Sequence, residues 1–315
     1  MPSTSFDIFR YQPDVSDEYY RQEFTLEHAQ DATLLDAILD LQNEQDPSLA
    51  VRYSCRSAIC GSCSCKANGK TILACTSQLE PLKEEFGTEK LAVDPIGNFT
   101  PIKDLVVDMD PFWTKFKSVK PYLIPDGPPP EKERIVPKEA MQKIERESAC
   151  ILCAACYSEC NSLAADPEFV GPAAFAWGYR FAADERDSQR KERAKLYSGD
   201  HGVWDCTRCM YCNERCPKGV EPRDAIEKLG GIAFQEKVTR DKGARHAKAF
   251  LISMRTGGKL NESLLVPYTD PLGAPLDISF AAQMMAKGKA PSPIPHRIKK
   301  LKEVQGLIKN VKETI

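Results

Sequence analysis

The sequence predicts an α+β chain in which a small mixed sheet around one helix precedes an all-helical part. Three observations carry this. Short aromatic and apolar runs, Phe6 to Tyr11, Tyr20 to Leu26 and Leu91 to Val93, read as strands. A proline-rich stretch, Pro121 to Pro137 with Pro128-Pro129-Pro130 inside it, then interrupts the chain; proline removes donors and stiffens the backbone, so this reads as a domain boundary. Beyond it, the segments 137–149, 175–187 and 222–240 read as helices.

The elements follow in order. Thr33 caps a short helix, Leu34 to Gln42, whose apolar stripe is Leu34, Leu35, Ile38 and Leu39. Asn68-Gly69 separates two short runs and reads as a hairpin turn, because both residues tolerate positive φ. Strands around one helix suggest a β-grasp-like domain over 1–120, with a linker over 121–136. Pro137 sits at the first turn of a helix, where its missing N–H does no harm. The helical domain is expected over 137–250 and a C-terminal extension over 251–315. Pro291 to Pro295 breaks the extension; a final helix then places Ile298, Leu301, Val304, Ile308, Val311 and Ile315 at three- and four-residue steps, with lysines opposite. Gly230-Gly231 is read as a helix-packing feature.

The 315 residues suit about two domains. Lys+Arg 43 against Asp+Glu 45, a formal charge of −2, gives no nucleic-acid footprint. No stretch approaches the ~18 consecutive apolar residues of a membrane span, and MPSTSFDIFR lacks the pattern of a secretory signal. Membrane association is therefore expected to be peripheral.

Thirteen cysteines demand a reason. A disulfide framework suits short secreted chains, and this chain is long with an odd count. Cys55-x4-Cys60-x2-Cys63, followed by Cys75, has the plant-type [2Fe–2S] spacing. A tight loop supplies three thiolates, Gly61 lets the backbone come close, and a neighbouring strand supplies the fourth. Arg52 and Arg56 add positive charge that would raise the potential of an anionic cluster, or are solvated surface charges. Cys65 is left over and is expected to point away from the cluster.

Cys150-x2-Cys153-x2-Cys156-x3-Cys160 and Cys206-x2-Cys209-x2-Cys212-x3-Cys216-Pro217 both carry the bacterial ferredoxin spacing, a local duplication. In that pattern the fourth cysteine of each run ligates the other cube. One [4Fe–4S] cluster is thus expected on Cys150, Cys153, Cys156 and Cys216, and a third cluster on Cys160, Cys206, Cys209 and Cys212. Zinc is the competing metal, but these spacings are not those of paired knuckles. The expected class is α+β: an N-terminal β-grasp plant-type [2Fe–2S] ferredoxin domain, then an all-α bacterial-ferredoxin-like bi-cluster domain. One-electron centres in series imply a wire rather than a catalytic acid or base. His28, His201, His246 and His296 do not cluster with carboxylates at metal spacing and are read as surface or structural.

The runs SCRSAICGSC, NGKTILAC, IKDLVVDM, PEFVGPAAFAWGYRFAADERD and CNERCPKGVEP resemble the iron–sulfur subunit of the succinate dehydrogenase/fumarate reductase family over residues 6 to 250. The resemblance implies a non-catalytic electron-transfer subunit of a quinone-linked oxidoreductase of the tricarboxylic acid cycle. It implies an FAD-containing flavoprotein partner, a membrane-associated subunit, and quinone reached indirectly, with the chain peripheral on the cytoplasmic face.

Two departures matter. Common members have an apolar residue where this chain has Cys209, and their third cluster is [3Fe–4S]. With the thiolate present, a third [4Fe–4S] cluster is expected here, the alternative being [3Fe–4S] with Cys209 unligated. Common members also use a proline, a serine, a tryptophan and a histidine at a quinone pocket. Here Asn161, Ser162, Ala165 and Thr207 stand in that region and only the serine matches, so the usual pocket is not expected. Some members with the extra cysteine dock on a subunit bearing CCG cysteine-rich repeats, which is the expected partner; the basic final helix would dock there or on anionic lipid, or be an ordinary surface helix. A wire for a thiol-linked fumarate reductase or a 2-hydroxyacid dehydrogenase, and a zinc-stapled binding module, remain as alternatives.

Overall fold

The computed structural model describes residues 2–271, 278–289 and 297–314. They divide into two compact units, one of residues 1–193 with 206–228 and the other of 194–205 with 229–315.

In the first unit, β1 (Ser3–Arg10), β2 (Tyr20–Glu27), β3 (Ser64–Ala67), β4 (Lys70–Leu73) and β5 (Lys90–Asp94) form one sheet in the order β2-β1-β5-β3-β4. The β1–β5 pair is parallel and the others are antiparallel. Alternation puts Phe6, Ile8, Leu91 and Val93 on the face covered by α1 (Leu34–Glu44), where they pack with Leu34, Leu35, Ile38 and Leu41. Thr33 caps α1 in a reciprocal box: its hydroxyl accepts from Asp36 N, and the Asp36 carboxylate accepts from Thr33 N. Asn68 and Gly69 turn β3 into β4 with φ of 46° and 80°, the geometry of a type I′ hairpin. Then α2 (Leu79–Phe86) ends on Gly87 in the left-handed region. A short β6–β7 pair (Pro101–Lys103, Val106–Val107) leads into α3 (Asp110–Ser118).

The inward alternation of β1 continues to Arg10, which is fully buried. Its guanidinium donates to Asp104 at 3.0 Å, Asp46 at 2.6 Å and Ser48 at 2.8 Å. Asp104 in turn accepts from Tyr11 N and Ala50 N. This network, which sequence periodicity did not flag, ties the sheet to the segments on either side of the first cysteine loop.

The single helix expected over 137–149 is two: α4 (Lys138–Gln142) and α5 (Glu145–Ser148). The chain bends at Ile144, φ −119°, whose side chain is 1% exposed; burying it outweighs the lost helical hydrogen bonds. The short helix α6 (Ala155–Ser158) lies inside the second cysteine run and carries Cys156, and α7 (Asn161–Ala165) follows directly on Cys160. Next come α8 (Pro172–Ala182), mostly buried, and α9 (Arg190–Ser198). The last cysteine run contains α10 (Tyr211–Glu214), which carries Cys212, and α11 (Pro222–Gln235) starts after it. The expected helices over 175–187 and 222–240 are thus present with earlier ends.

The second unit is built on α12 (Lys242–Gly257), capped by Asp241 and ended by Gly258, with α13 (Glu262–Thr269), α14 (Ile278–Ala286) and α15 (Leu301–Thr314). Trp204 lies over Gly230, where a Cβ would come within 3.3 Å of its ring; Gly231 faces open space. Ile298 precedes α15 rather than lying in it, and packs against Gly258. Half-buried Leu301, Val304 and Ile308 keep the amphipathic pattern of α15, which packs on α12 within this unit. The 291–295 break, His296 and Ile315 lie outside the described residues.

Candidate metal centres

The first cysteine loop is a cradle of backbone N–H groups. Residues alternate through the left-handed region at Arg56 (φ 54°), Ala58 (53°) and Gly61 (71°), which turns successive amides inward. The Cys55 sulfur accepts from Ser57 N, Ile59 N and Cys60 N at 3.2–3.4 Å. Ala58 N donates to Cys75 Sγ at 3.3 Å, and Cys55 N to Cys60 Sγ at 3.5 Å. Backbone donors from Ser57, Cys60 and Ile59 hold the Cys55 thiol down at about 6, whereas burial pushes Cys63, which is hydrogen-bonded with Cys75, up to about 12. Four sulfurs thus meet at one loop, with Cys55 and Cys60 at its open rim and Cys63 and Cys75 in the sheet core. Cys65 lies on β3 in that same core, 2% exposed, with its thiol pushed up by burial.

Arg52 lines a cleft with Cys60 and Gly61 and donates to Val107 O at 3.3 Å. Arg56 lies over the Tyr53 ring, 5.3 Å from its centroid, on an exposed surface.

The other eight cysteines surround two cavities. Cys150, Cys153, Cys156 and Cys216 line one. Cys160, Cys206, Cys209 and Cys212 line another. The two runs share a backbone signature. Leu152 and Ala154 have φ of 55° and 61°; Arg208 and Met210, at the same offsets from their first cysteines, have 57° and 72°. Each such conformation costs a non-glycine residue roughly 1–2 kcal/mol, so four of them mark loops held in shape for a purpose. Amides again face sulfurs: Arg208 N reaches Cys206 at 3.4 Å and Val220 N reaches Cys216 at 3.3 Å. Burial pushes Cys150 up to about 11 and Cys212 up to about 12. Thiols crowded out of water resist ionising unless a cation compensates, and iron supplies that charge while each sulfur becomes a ligand. The residues present therefore fit iron–sulfur cores.

A polar seam inside the first unit fixes the second run against the sheet. Thr71 and Ser158 hydroxyls lie 2.6 Å apart, and Gly97 N donates to Ser158 Oγ at 2.9 Å. Asn98 Nδ2 donates to the carbonyls of Tyr157 at 2.7 Å and Cys160 at 3.1 Å. These residues carry no motif of their own in the sequence. Ser162 is buried, and its Oγ accepts from Thr207 N at 3.2 Å, which ties α7 to the last cysteine run. His28 is structural: its Nε2 meets Thr4 Oγ1 and its Nδ1 meets Ala29 O, both at 2.8 Å. His246 packs its ring edge-on to Phe250. Among the described residues no helix is long and apolar enough to cross a membrane.

Comparison with known proteins agrees with this chemistry. A 2Fe-2S iron-sulfur cluster binding domain matches residues 5–114, and a 4Fe-4S dicluster domain matches residues 147–220. The succinate dehydrogenase iron-sulfur subunit of Coxiella burnetii is 39% identical over 235 residues, covering 74% of this chain and 97% of its own. The fumarate reductase iron-sulfur subunit of Haemophilus influenzae is 36% identical over 237 residues, 71% and 91% of the two chains. The 8-methylmenaquinol:fumarate reductase iron-sulfur subunit of Wolinella succinogenes is 33% identical over 276 residues, 86% of each. Among solved structures, a chain of the Mycobacterium smegmatis Sdh1 complex in the apo form superposes with a TM-score of 0.63 at 25% identity, covering 75% of this chain and 97% of that one. With an N-terminal [2Fe–2S] domain built on a sheet and a helical dicluster region after it, this chain belongs to the family of succinate dehydrogenase and fumarate reductase iron–sulfur subunits.

Proposed function

We propose that the chain carries single electrons between an FAD-bearing flavoprotein, which holds the dicarboxylate chemistry, and a membrane-associated subunit that communicates with quinone. Cys55, Cys60, Cys63 and Cys75 hold a [2Fe–2S] cluster in this reading. Cys150, Cys153, Cys156 and Cys216 hold a [4Fe–4S] cluster, and Cys160, Cys206, Cys209 and Cys212 hold a third, also [4Fe–4S]. When bound, the clusters supply reversible one-electron chemistry. The chain's own residues grip them, aim amide dipoles at the ligand sulfurs and bury Cys63, Cys75, Cys156, Cys160 and Cys212 away from water. The relatives do not favour the zinc-stapled module or a wire for a thiol-linked fumarate reductase or a 2-hydroxyacid dehydrogenase.

One observation carries the four-iron form of the third cluster. Cys209 lies between two left-handed residues, as Cys153 does, and its side chain lines the same cavity as Cys160, Cys206 and Cys212. That placement supports reading Cys209 as a ligand. The partner proposed beyond the third cluster is a subunit with CCG cysteine-rich repeats, with the assembly peripheral on the cytoplasmic membrane face. Two features support it: Asn161, Ala165 and Thr207 do not supply the family's quinone-pocket side chains, and the matching Ser162 already serves the loop of Thr207.

The test is the purified native complex: subunit identification, iron and acid-labile sulfide analysis, and EPR during redox titration, with succinate, fumarate and thiols as substrates. About ten irons per chain are expected for one two-iron and two four-iron clusters. A stoichiometric three-iron signal in the undamaged oxidised complex overturns the assignment of Cys209.

A further inference from the structure

The cavity walled by Cys160, Cys206, Cys209 and Cys212 has one charged residue in its lining, Arg223, among the described residues. Arg223 lies in the first turn of α11. Asn213, the residue after Cys212, fixes that turn to the last cysteine run. Its Oδ1 accepts from Arg223 N at 2.9 Å, and its Nδ2 donates to Asp224 Oδ2 at 3.1 Å. The tip of the guanidinium is held as well: Nη1 donates to Asp224 Oδ1 at 2.7 Å and lies 2.6 Å from Glu227 Oε2. Backbone and tip are thus both anchored beside the cavity.

Nε differs from these atoms. It is shielded from solvent and has no hydrogen-bond partner in the protein. A guanidinium does not give up its protons, so this N–H is a permanent donor. Holding it out of water without an acceptor costs free energy, more so because the group is charged. Arg215 Nε is in the same condition, but Arg215 lines neither cysteine cavity. Arg223 lines one, and the chemistry of that cavity's walls supplies the missing acceptor. Sulfurs bound to iron carry negative charge and accept strongly from a cationic donor.

We propose that Arg223 donates its Nε–H to a sulfur of the third cluster and thereby raises that cluster's reduction potential. One electron passes between the neighbouring cluster and this core, no bond is made or broken, and the proton stays on Nε. Reduction puts more negative charge on the sulfurs. An N–H aimed at one of them therefore stabilises the reduced form more than the oxidised one. Arg223 is a tuning residue, not a ligand. The inference rests on the proposed ligation by these four cysteines and holds for a three-iron or a four-iron core.

The experiment uses the native complex and one carrying Arg223→Lys. Lysine keeps the positive charge beside Asp224 and Glu227 but puts a methylene where arginine has Nε–H. EPR-monitored redox titration should show the third cluster shifted to lower potential, with the other two midpoints and the iron content per chain unchanged. In wild-type complex isotope-labelled in its arginine guanidinium nitrogens, pulsed EPR of the third cluster should show coupling to such a nitrogen and to an exchangeable proton. Arg223→Lys should abolish both couplings, and Arg208→Lys, a change at an exposed neighbour, should keep them. A wild-type midpoint in Arg223→Lys, or no nitrogen coupling in the labelled wild type, overturns the inference while leaving the cluster assignment standing. If Arg223→Lys fails to assemble, the labelled Arg208→Lys complex decides: retained coupling supports Arg223, and its loss refutes it. A wild-type complex with no third-cluster signal overturns the ligand assignment and the inference with it.

Discussion

A Cβ added to Gly61 would fall 2.6 Å from the Cβ of Cys153 and 2.7 Å from its Cα, so the first cysteine loop lies against the backbone of the second cysteine run. Only glycine allows this approach, and the same residue sits at φ 71°, where a side chain is strained whatever the space. Two cysteine groups proposed to hold clusters that exchange electrons are thereby brought close together.

Gly61→Ala should be strongly disruptive. The left-handed conformation alone costs about 1–2 kcal/mol, and the overlap with Cys153 forces the two loops apart. Thermal unfolding should shift down. In variant complexes that retain all iron, the spin–spin interaction between the first and second clusters should weaken in EPR. Wild-type stability together with an unchanged interaction would show that the contact does not hold the loops together.

Cys209→Ser should change the third cluster alone. The oxidised complex is expected to gain a three-iron EPR signal while the first two clusters keep theirs. Iron should fall by about one per chain if serine does not replace the thiolate. An unaltered spectrum would remove Cys209 from the ligand set.

Arg10 and Asp104 form a fully buried ion pair that also holds Asp46, Ser48, Tyr11 N and Ala50 N. Removing one partner strands the other charge in the core. Arg10→Ala or Asp104→Ala should each destabilise the chain by about 3–5 kcal/mol, and the double variant should cost less than the sum. Chemical denaturation of the four proteins in a double-mutant cycle checks this.

Asp184 predicts an acid limb. Burial would raise its pKa, but hydrogen bonds from the Arg186 side chain and backbone and from Arg180 outweigh that and hold it at about 2, against 3.8 for a free carboxyl. A folded pKa below the unfolded one stabilises the protein above pH 4, and the gain is lost as pH falls from about 4 to about 2. The linkage is worth about 2 kcal/mol at neutral pH. Asp184→Asn should lower stability at pH 7 by that order and lessen its fall over the acid range. Parallel curves for the two proteins would contradict the depressed pKa.

What was legible in the sequence was local. The Thr33 cap and the Asn68-Gly69 hairpin were readable because each depends on residues two or three apart. The expected helix over 137–149 was misread as continuous because nothing local announces that Ile144 will be buried.

The sequence by itself determined the three cysteine groups and their spacing, since how far apart two thiols can lie within one loop is set by covalent geometry over a few residues. Tertiary structure alone decided that Gly61 meets Cys153, that Asn98 holds the Cys160 carbonyl and that Arg10 is an inward charge paired with Asp104. Each of these joins segments about 25 or more residues apart in the sequence. Such contacts depend on how whole elements pack, and no local pattern encodes that.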